Sequence, residues 1–214
     1  MRGHLRSLIL ATIAVVMCAC AADPSADKPK ATAGNAAPET SSAKAGETEA
    51  LAITPENSKL EFEASKVTRT HHGSFKQFSG QIDLAKNVTD SKVSIDIQTG
   101  SVEADDPQLT AHLKTPDFFD VAKFPKATFT STKIDAVAGG AANTYTVTGN
   151  LDLHGAKKSI SFPATIQTTA DNVSVDAEFA INRKDFGIVY AGKADDLIRD
   201  NVLLRLNLRV PRKK

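Results

Sequence analysis

The sequence has little cysteine and no tryptophan. Its two cysteines, Cys18 and Cys20, both lie within the first twenty of 214 residues. The remaining chain can therefore form no disulfide, thiol nucleophile or cysteine-based zinc site.

Long apolar runs and an excess of one charge are also absent. The apolar run Leu8–Met17 is too short for the roughly 20 residues of a transmembrane helix. The formal net charge is +1, and removal of Arg2 and Arg6 with a leader would leave it close to neutral. Neither nucleic acid nor an anionic membrane face is indicated as a partner.

The N terminus is typical of a secretory signal peptide, because Arg2 and Arg6 precede the short apolar run. The segment Met17-Cys18-Ala19-Cys20 resembles a bacterial lipobox. That resemblance implies a signal peptide over residues 1–19, cleavage before Cys20 and acylation of Cys20. Ordinary cleavage nearby, or an unmodified cysteine, is the alternative.

Residues 20–50 are predicted to be the acylated cysteine and a disordered linker. Ala21–Ala50 contains no Val, Ile, Leu, Phe or Tyr, so it cannot contribute to a core. A linker of this length has an r.m.s. reach of roughly 30 Å. The expected location is the bacterial cell envelope, on the periplasmic side, lipid-anchored or else soluble in the periplasm if Cys20 is not acylated.

Residues 51–214 are predicted to form one all-β domain, because apolar and polar residues alternate almost throughout. Eight strand-like runs are expected: Ser58–Lys66, Ser74–Leu84, Lys92–Gln98, Ala127–Ile134, Tyr145–Leu153, Ile160–Ile166, Val173–Ile181 and Val202–Val210. His154-Gly155 and Asp171-Asn172 are expected to be turns.

The apolar face of these strands is expected to point inward. The polar faces carry charges such as Glu61, Lys92 and Arg205, which a lipid-facing exterior could not accommodate. An eight-stranded antiparallel sheet of this kind can close into a barrel or fold as a sandwich. The alternation of apolar and polar residues does not distinguish a barrel from a sandwich.

Two connections are longer than the rest. Val102–Phe124 is predicted to hold a short helical plug, with Thr115 or Asp117 as its N-cap and Pro116 in its first turn. Arg183–Asn201 is expected to contain a short helix near Asp195–Arg199.

No catalytic motif or metal site is indicated. His71 and His72 are neighbours on a strand, so their side chains point to opposite faces. No nucleophile elbow, zinc-protease motif or phosphate loop is present. We therefore expect a protein that is not an enzyme and needs no cofactor or metal.

Four motifs in order resemble the YceI family of lipid- or polyisoprenoid-binding domains. They are Gly73-Ser74-Phe75 with Phe78-Ser79-Gly80, His112-Leu113 followed by Asp117–Val121, Phe124-Pro125 and Thr128-Phe129, then Gly149–Gly155, and finally Asn182-Arg183 with Asp185–Ile188. Asn150 and Asp152 depart from the family pattern.

The resemblance implies an eight-stranded lipocalin-like antiparallel barrel with a short helical plug between strands 3 and 4. It also implies a non-catalytic carrier that sequesters a long isoprenoid lipid, held at a membrane by its acylated N terminus. The expected lining is Phe62, Phe75, Phe78, Ile95, Phe118, Phe119, Phe129, Val147, Phe162, Phe179 and Phe186. His112 and Arg183 are the candidates for a head group at the mouth.

Three matters stay open at this point. The apolar interior could be filled by its own side chains, which would make this a structural or stress-response envelope protein without a ligand. A lipid-modifying enzyme is a weaker alternative. Association into a homodimer is compatible with the sequence.

Overall fold

A computed structural model of the chain describes residues 22–38 and 47–212. The strands of this part are β1 Thr32–Asn35, β2 Glu49–Ile53, β3 Ser58–Ser65, β4 Thr70–Phe75, β5 Phe78–Leu84, β6 Lys92–Gln98, β7 Val102–Ala104, β8 Lys126–Ala136, β9 Thr144–Leu153, β10 Ala156–Thr168, β11 Asn172–Asn182, β12 Gly192–Lys193, β13 Asp196–Leu197 and β14 Asn201–Pro211. One α-helix, α1, spans Pro107–Leu113. In these residues no helix has the length and apolar character needed to cross a membrane.

The strands form one long antiparallel sheet that curls into a half-barrel. The order across it is β2-β5-β6-β8-β9-β10-β11-β14-β3-β4-β7. The predicted closed barrel of eight strands is therefore wrong in strand number and in closure. Within the described residues, β2 and β7 are the two ends of this order and do not pair with each other.

The alternation of apolar and polar residues gives the sheet its inner face, as predicted. On β3, Leu60 and Phe62 are 3% and 7% exposed. Val147 and Leu151 are likewise buried on β9. On these two strands every second side chain points to the interior.

The second predicted strand is two strands. β4 ends at Phe75 and β5 begins at Phe78. These two apolar residues are three positions apart, so the period of two breaks between them and both side chains can face inward only if the chain turns. The turn at Lys76-Gln77 makes this change.

The hairpin predicted at His154-Gly155 is confirmed. β9 ends at Leu153 and pairs with Ala156, the first residue of β10. Both turn residues have positive φ, 53° for His154 and 76° for Gly155. This is the conformation of a two-residue type I′ turn.

The helix that was predicted to begin at Thr115 or Asp117 is found earlier in the chain, as α1 at Pro107–Leu113. Asp106 is the N-cap, since its side chain accepts hydrogen bonds from the backbone N–H groups of Gln108 and Leu109 at 2.8 and 3.1 Å. Pro107 occupies the first turn. The segment from Lys114 to Pro125 instead forms successive turns, closed by bonds such as Phe118 N–H to the Thr115 carbonyl at 3.1 Å.

The second long connection also differs from its prediction. Residues 195–199 contain no helix; β13 lies there and pairs with β12 as a small separate ribbon. A 3₁₀ turn spans Arg183–Phe186 and ends at Gly187, whose φ is 76°.

Much of the predicted disordered linker packs on the sheet. We call residues 22–38 the strap. Its strand β1 pairs with the first half of β10, from Thr32 opposite Ser161 to Asn35 opposite Lys158. β11 pairs with β10 only from Thr165 onward, so the strap occupies the gap where β10 and β11 diverge. Residues 49 and 50 belong to β2, and residues 39–46 lie outside the described residues.

Further hydrogen bonds, from the backbone and from side chains, hold the strap against the sheet. The Ala31 N–H donates to the Ala180 carbonyl at 2.8 Å. The Lys28 ammonium donates to the Glu178 carboxylate at 2.7 Å. The buried Asn150 amide donates to and accepts from the backbone of Ala37 at 2.8 and 2.9 Å. The prediction of a disordered linker is therefore wrong for residues 22–38, because hydrogen bonds hold a segment that has no large apolar side chains.

Candidate functional site

The inner face of the sheet and the segment after α1 enclose a cavity of about 150 Å³, which we call the inner cavity. Its wall is almost entirely carbon. The lining residues are Leu60, Glu61, Phe62, Ala64, Phe75, Ile97, Leu113, Phe118, Phe119, Ala127, Leu151, Leu153, Ile181, Arg183, Ile188, Ile198, Val202, Leu204 and Leu206.

Three phenylalanines make a continuous wall of this cavity. The ring of Phe75 lies 6.0 Å from that of Phe62 and 5.6 Å from that of Phe119. Phe62 faces Gly73 across the β3–β4 pair. A Cβ on Gly73 would lie 2.2 Å from the tip of the Phe62 ring, so this glycine allows the ring to lie across β4.

The predicted lining residues divide into two groups. Phe62, Phe75, Phe118 and Phe119 line the inner cavity. The remaining seven are packed elsewhere in the apolar core: Phe78, Ile95, Phe129, Val147, Phe162, Phe179 and Phe186.

Aliphatic residues supply the part of the lining that the predicted set lacks. They include Leu151 and Leu153 on β9 and Val202, Leu204 and Leu206 on β14. Their positions in the alternating runs identify all five as inward-facing. The predicted lining consists mainly of phenylalanines and therefore omits these five aliphatic residues.

A second recess of about 300 Å³ adjoins the inner cavity, and we call it the mouth recess. The two share Phe62, Ala64, Leu113, Phe118 and Ile198 as lining residues. The mouth recess has a mixed lining, with polar groups from β3, β4, α1 and the β12–β13 ribbon. A recess with polar lining therefore lies beside the carbon-lined inner cavity.

His112 lies at this recess, on the last turn of α1. Its Nε2 is 2.8 Å from the Asp117 carboxylate. Its ring meets those of Phe118 and Tyr190 edge-on at 4.9 and 5.2 Å. The carboxylate and the two rings fix the imidazole at the wall of the mouth recess, where a head group would pass.

Arg183 has a buried guanidinium that is already engaged. It donates to the carbonyls of Ile188, Arg199 and Ile198 at 2.7, 3.1 and 3.3 Å. Burial lowers the pKa of Arg183, and the nearby Asp200 carboxylate partly opposes this effect. The side chain thus ties the chain after the 3₁₀ turn to the start of β14, while its stem contacts the inner cavity.

The cations around the mouth recess are matched by carboxylates. Lys66 is bonded to Asp196, and this hydrogen bond is the main reason why the pKa of Asp196 is lowered. His71 lies 2.8 Å from Asp105. Burial has the largest single effect on the pKa of Asp105 and raises it, but hydrogen bonds and nearby charges, led by those of His71, together lower this pKa overall.

One polar atom in the recess is unmatched. Ser65 is 2% exposed, and among the described residues its Oγ has no hydrogen-bond partner. A buried hydroxyl usually finds a partner. Ser65 belongs to the lining of the mouth recess.

The fold and the cavity together define a class: an all-β half-barrel whose curled sheet surrounds a carbon-lined cavity with a polar mouth. Residues 51–210 match the model of the YceI-like domain. The chain belongs to the YceI family.

Relatives and solved structures agree with this assignment. The chain is 37% identical over 125 residues to a UPF0312 protein of Pseudomonas putida, covering 55% of this chain and 63% of that relative. It is 35% identical over 124 residues to protein YceI of Salmonella arizonae, covering 55% and 63%. The match thus spans just under two thirds of the length of these relatives.

Among solved structures, BcnA of Burkholderia cenocepacia superposes with a TM-score of 0.65 at 25% identity, covering 73% of this chain and 98% of BcnA. A polyisoprenoid binding domain from Saccharophagus degradans superposes with a TM-score of 0.62 at 23% identity, covering 78% and 99%. The similarity to the Saccharophagus degradans domain shows that the two proteins share a fold.

Proposed function

We propose that this protein is a non-catalytic carrier that holds a long apolar lipid of the polyisoprenoid type. The observation that carries the proposal is the inner cavity, whose wall is almost entirely carbon and which lies next to a recess with polar lining. The family supports a lipid-binding role, and the fold is shared with a domain described as polyisoprenoid binding. Acylation of Cys20, which lies outside the described residues, would hold the carrier at an envelope membrane.

The dimensions suit a ligand that occupies both spaces. The inner cavity alone, at about 150 Å³, is smaller than ligand pockets of ~300–1,000 Å³. With the adjoining recess of about 300 Å³, the site reaches that range. We place the end of the lipid chain in the inner cavity and its polar end in the mouth recess.

The energetics need few polar contacts. Each CH₂ group moved from water into such a site contributes ~0.8 kcal/mol. A chain of several isoprene units is therefore retained by its apolar surface. Ser65 and His112 are the polar residues best placed to orient the head group, by hydrogen bonding rather than by charge.

The test is native mass spectrometry of the protein purified without detergent, followed by organic extraction. We expect a co-purified mass that is released as an isoprenoid lipid. Ala64→Phe places a ring where the inner cavity meets the mouth recess, so it should abolish that mass. Ala52→Phe, at an exposed position on β2, is the matched control and should retain it.

A ligand-free envelope protein is the second candidate, and one observation favours it. Part of the interior is already filled, since the rings of Phe162 and Phe179 stack 4.0 Å apart. A ligand-free mass that is unchanged after incubation with polyprenols would select this candidate and reject the carrier.

A further inference from the structure

Large apolar side chains are unevenly distributed over the surface. In the part of the chain that the structure describes, four of them are exposed: Val67, Val137, Val189 and Leu197. Three of these, Val67, Val189 and Leu197, are each next in sequence to a residue that lines the mouth recess, and we call them the rim residues.

Neighbouring contacts place the rim residues at the mouth. The Val67 N–H donates to the Leu197 carbonyl at 3.2 Å. Leu197 lies between Asp196 and Ile198, which both line the mouth recess. Val189 precedes Tyr190, another lining residue. The rim residues are 37%, 64% and 49% exposed for Val67, Val189 and Leu197.

The fourth side chain lies at the opposite end of the sheet. Val137 follows β8 in the β8–β9 connection, and β9 runs from that connection to the turn at His154. The His154 ring contacts the Phe186 carbonyl at 3.2 Å, beside the 3₁₀ turn at the mouth end. Exposed apolar surface is thus concentrated at the mouth.

The first residues of the strap lie at the same end. The Ala22 carbonyl accepts a hydrogen bond from the Thr70 hydroxyl at 3.4 Å. Asp23 pairs with Arg199 at 3.9 Å. Thr70 and Arg199 directly adjoin His71 and Ile198 of the mouth recess. Cys20 is two residues before Ala22, a distance of at most ~7 Å along the chain.

We propose that the rim residues dock on the surface of a phospholipid bilayer, so that the mouth of the cavity faces the membrane. This inference concerns orientation and goes beyond the carrier function. Exposed apolar side chains that are grouped on one side of a fold are typical of an interaction surface, whereas single ones are not. A bilayer fits these residues because Ala22, two positions after the proposed acylation site Cys20, lies on the same side.

The charges at the mouth indicate contact through apolar insertion. Lys66, His71, His112 and Arg199 each face a carboxylate, from Asp196, Asp105, Asp117 and Asp23 respectively. Lys193, which also lines the mouth recess, has no carboxylate partner among the described residues, so the lining offers one unmatched cation and no cluster for anionic lipid. Docking on zwitterionic vesicles should therefore be nearly as strong as on anionic ones and should depend little on salt.

The orientation has a functional consequence. A lipid could pass between the bilayer and the inner cavity through the mouth recess without crossing bulk water. The apolar rim would seal the passage at the point where the chain leaves the membrane.

Tryptophan fluorescence can test the orientation, because the chain has no tryptophan of its own. Leu197→Trp places a single reporter on the rim, and Val137→Trp places one at the opposite end. The full chain, produced in a bacterial host, is combined with phosphatidylcholine vesicles that carry bromine on the acyl chains. We expect blue-shifted and quenched emission from Leu197→Trp, with unchanged emission from Val137→Trp.

Two other results would overturn the proposal. Equal quenching of both reporters would show that the protein lies on the bilayer without this orientation. Unquenched emission from both would show that the rim does not enter the bilayer, whether or not the chain is anchored. A protein that is free of ligand in native mass spectrometry yet quenched only at Leu197→Trp would reject the carrier function and retain the docking surface.

Discussion

The interior of the sheet has two halves that differ in packing. In the mouth half, Phe62, Phe75 and Phe119 form one wall of an open cavity. In the other half, Phe129, Phe162 and Phe179 pack directly on one another, with ring centroids 5.7 and 4.0 Å apart. We call this second group the filled half.

In each half, a glycine on the neighbouring strand makes room for a phenylalanine ring. Phe62 lies against Gly73, and Phe129 lies against Gly149. What differs is the surface opposite each ring. Phe129 meets Phe162, while Phe62 borders the inner cavity. The comparison indicates that the filled half supplies stability and that the mouth half gives up packing contacts for binding space.

Removing a ring from each half tests this division and should give the largest effect. Phe179 is 2% exposed and stacks on Phe162 at 4.0 Å. Phe179→Ala should lower the free energy of unfolding by about 3–5 kcal/mol, measured by urea denaturation.

Phe119→Ala is the matched change in the mouth half. Phe119 is partly buried and already borders empty space, so fewer contacts are lost. We expect a loss of about 1–2 kcal/mol. Equal losses from the two substitutions would contradict the division into halves.

Adding a methyl group at each glycine sharpens the comparison. In Gly149→Ala the new Cβ would lie 2.5 Å from both the Phe129 ring and the Thr130 carbonyl oxygen. Neither can move away easily in the filled half. The free energy of unfolding should fall by about 1–3 kcal/mol.

Gly73→Ala should instead affect binding more than stability. The Cβ would lie 2.2 Å from the tip of the Phe62 ring and 2.8 Å from the Glu103 carbonyl oxygen. The ring can turn into the inner cavity, which spares stability but occupies ligand space. We expect less co-purified lipid by native mass spectrometry and a smaller stability loss than in Gly149→Ala. A greater stability loss in Gly73→Ala would show that the mouth half is as tightly packed.

The sequence predicts most of the sheet but not this division. Alternation identifies Leu151 and Phe162 alike as inward-facing, since the period of two reports only the face of a strand. It carries no information about what lies opposite a side chain. Hence Phe62 and Phe162 had the same expected role, although only the first lines the cavity.

Two predictions were wrong for separate physical reasons: the position of the helix and the disorder of the strap. Asp106-Pro107 and Thr115-Pro116 are equivalent start signals in sequence, and only the two hydrogen bonds to Asp106 distinguish them. The strap is held mainly by its backbone in a gap between β10 and β11, which no local pattern shows. Asn150, a departure from the family pattern, was the available clue, because its amide binds the backbone of Ala37.

Releasing the strap extends the comparison to the outer face, with a smaller effect. Asn150→Ala removes both hydrogen bonds to Ala37. We expect a loss of about 1–2 kcal/mol in stability and faster amide hydrogen exchange in residues 31–37. Asp152→Ala, two positions along the same face of β9, is the control. If it accelerates exchange in the strap equally, Asn150 is not the specific clamp.

The smallest expected effect comes from the ion pair between Lys28 and Glu178, whose side chains are both about one third exposed. The hydrogen bond from Lys28 has the largest effect on the pKa of Glu178 and lowers it; burial raises this pKa by less, and a hydrogen bond from Arg205 lowers it further. A carboxylate with a lowered pKa stabilises the folded state above its unfolded pKa, and loses that contribution as the pH falls through the folded value. Exposed pairs contribute only about 0.2–1 kcal/mol.

Lys28→Gln should therefore weaken the strap at neutral pH but not at low pH. The readout is the protection factor of the Ala31 amide, which donates to the Ala180 carbonyl. Protection should be lower in the variant than in the original chain at pH 7, and the difference should vanish as Glu178 is protonated below its ordinary range. Lys126→Gln, at an exposed position on β8, should leave protection unchanged. A difference that persists at low pH would mean that Lys28 holds the strap by packing rather than by charge.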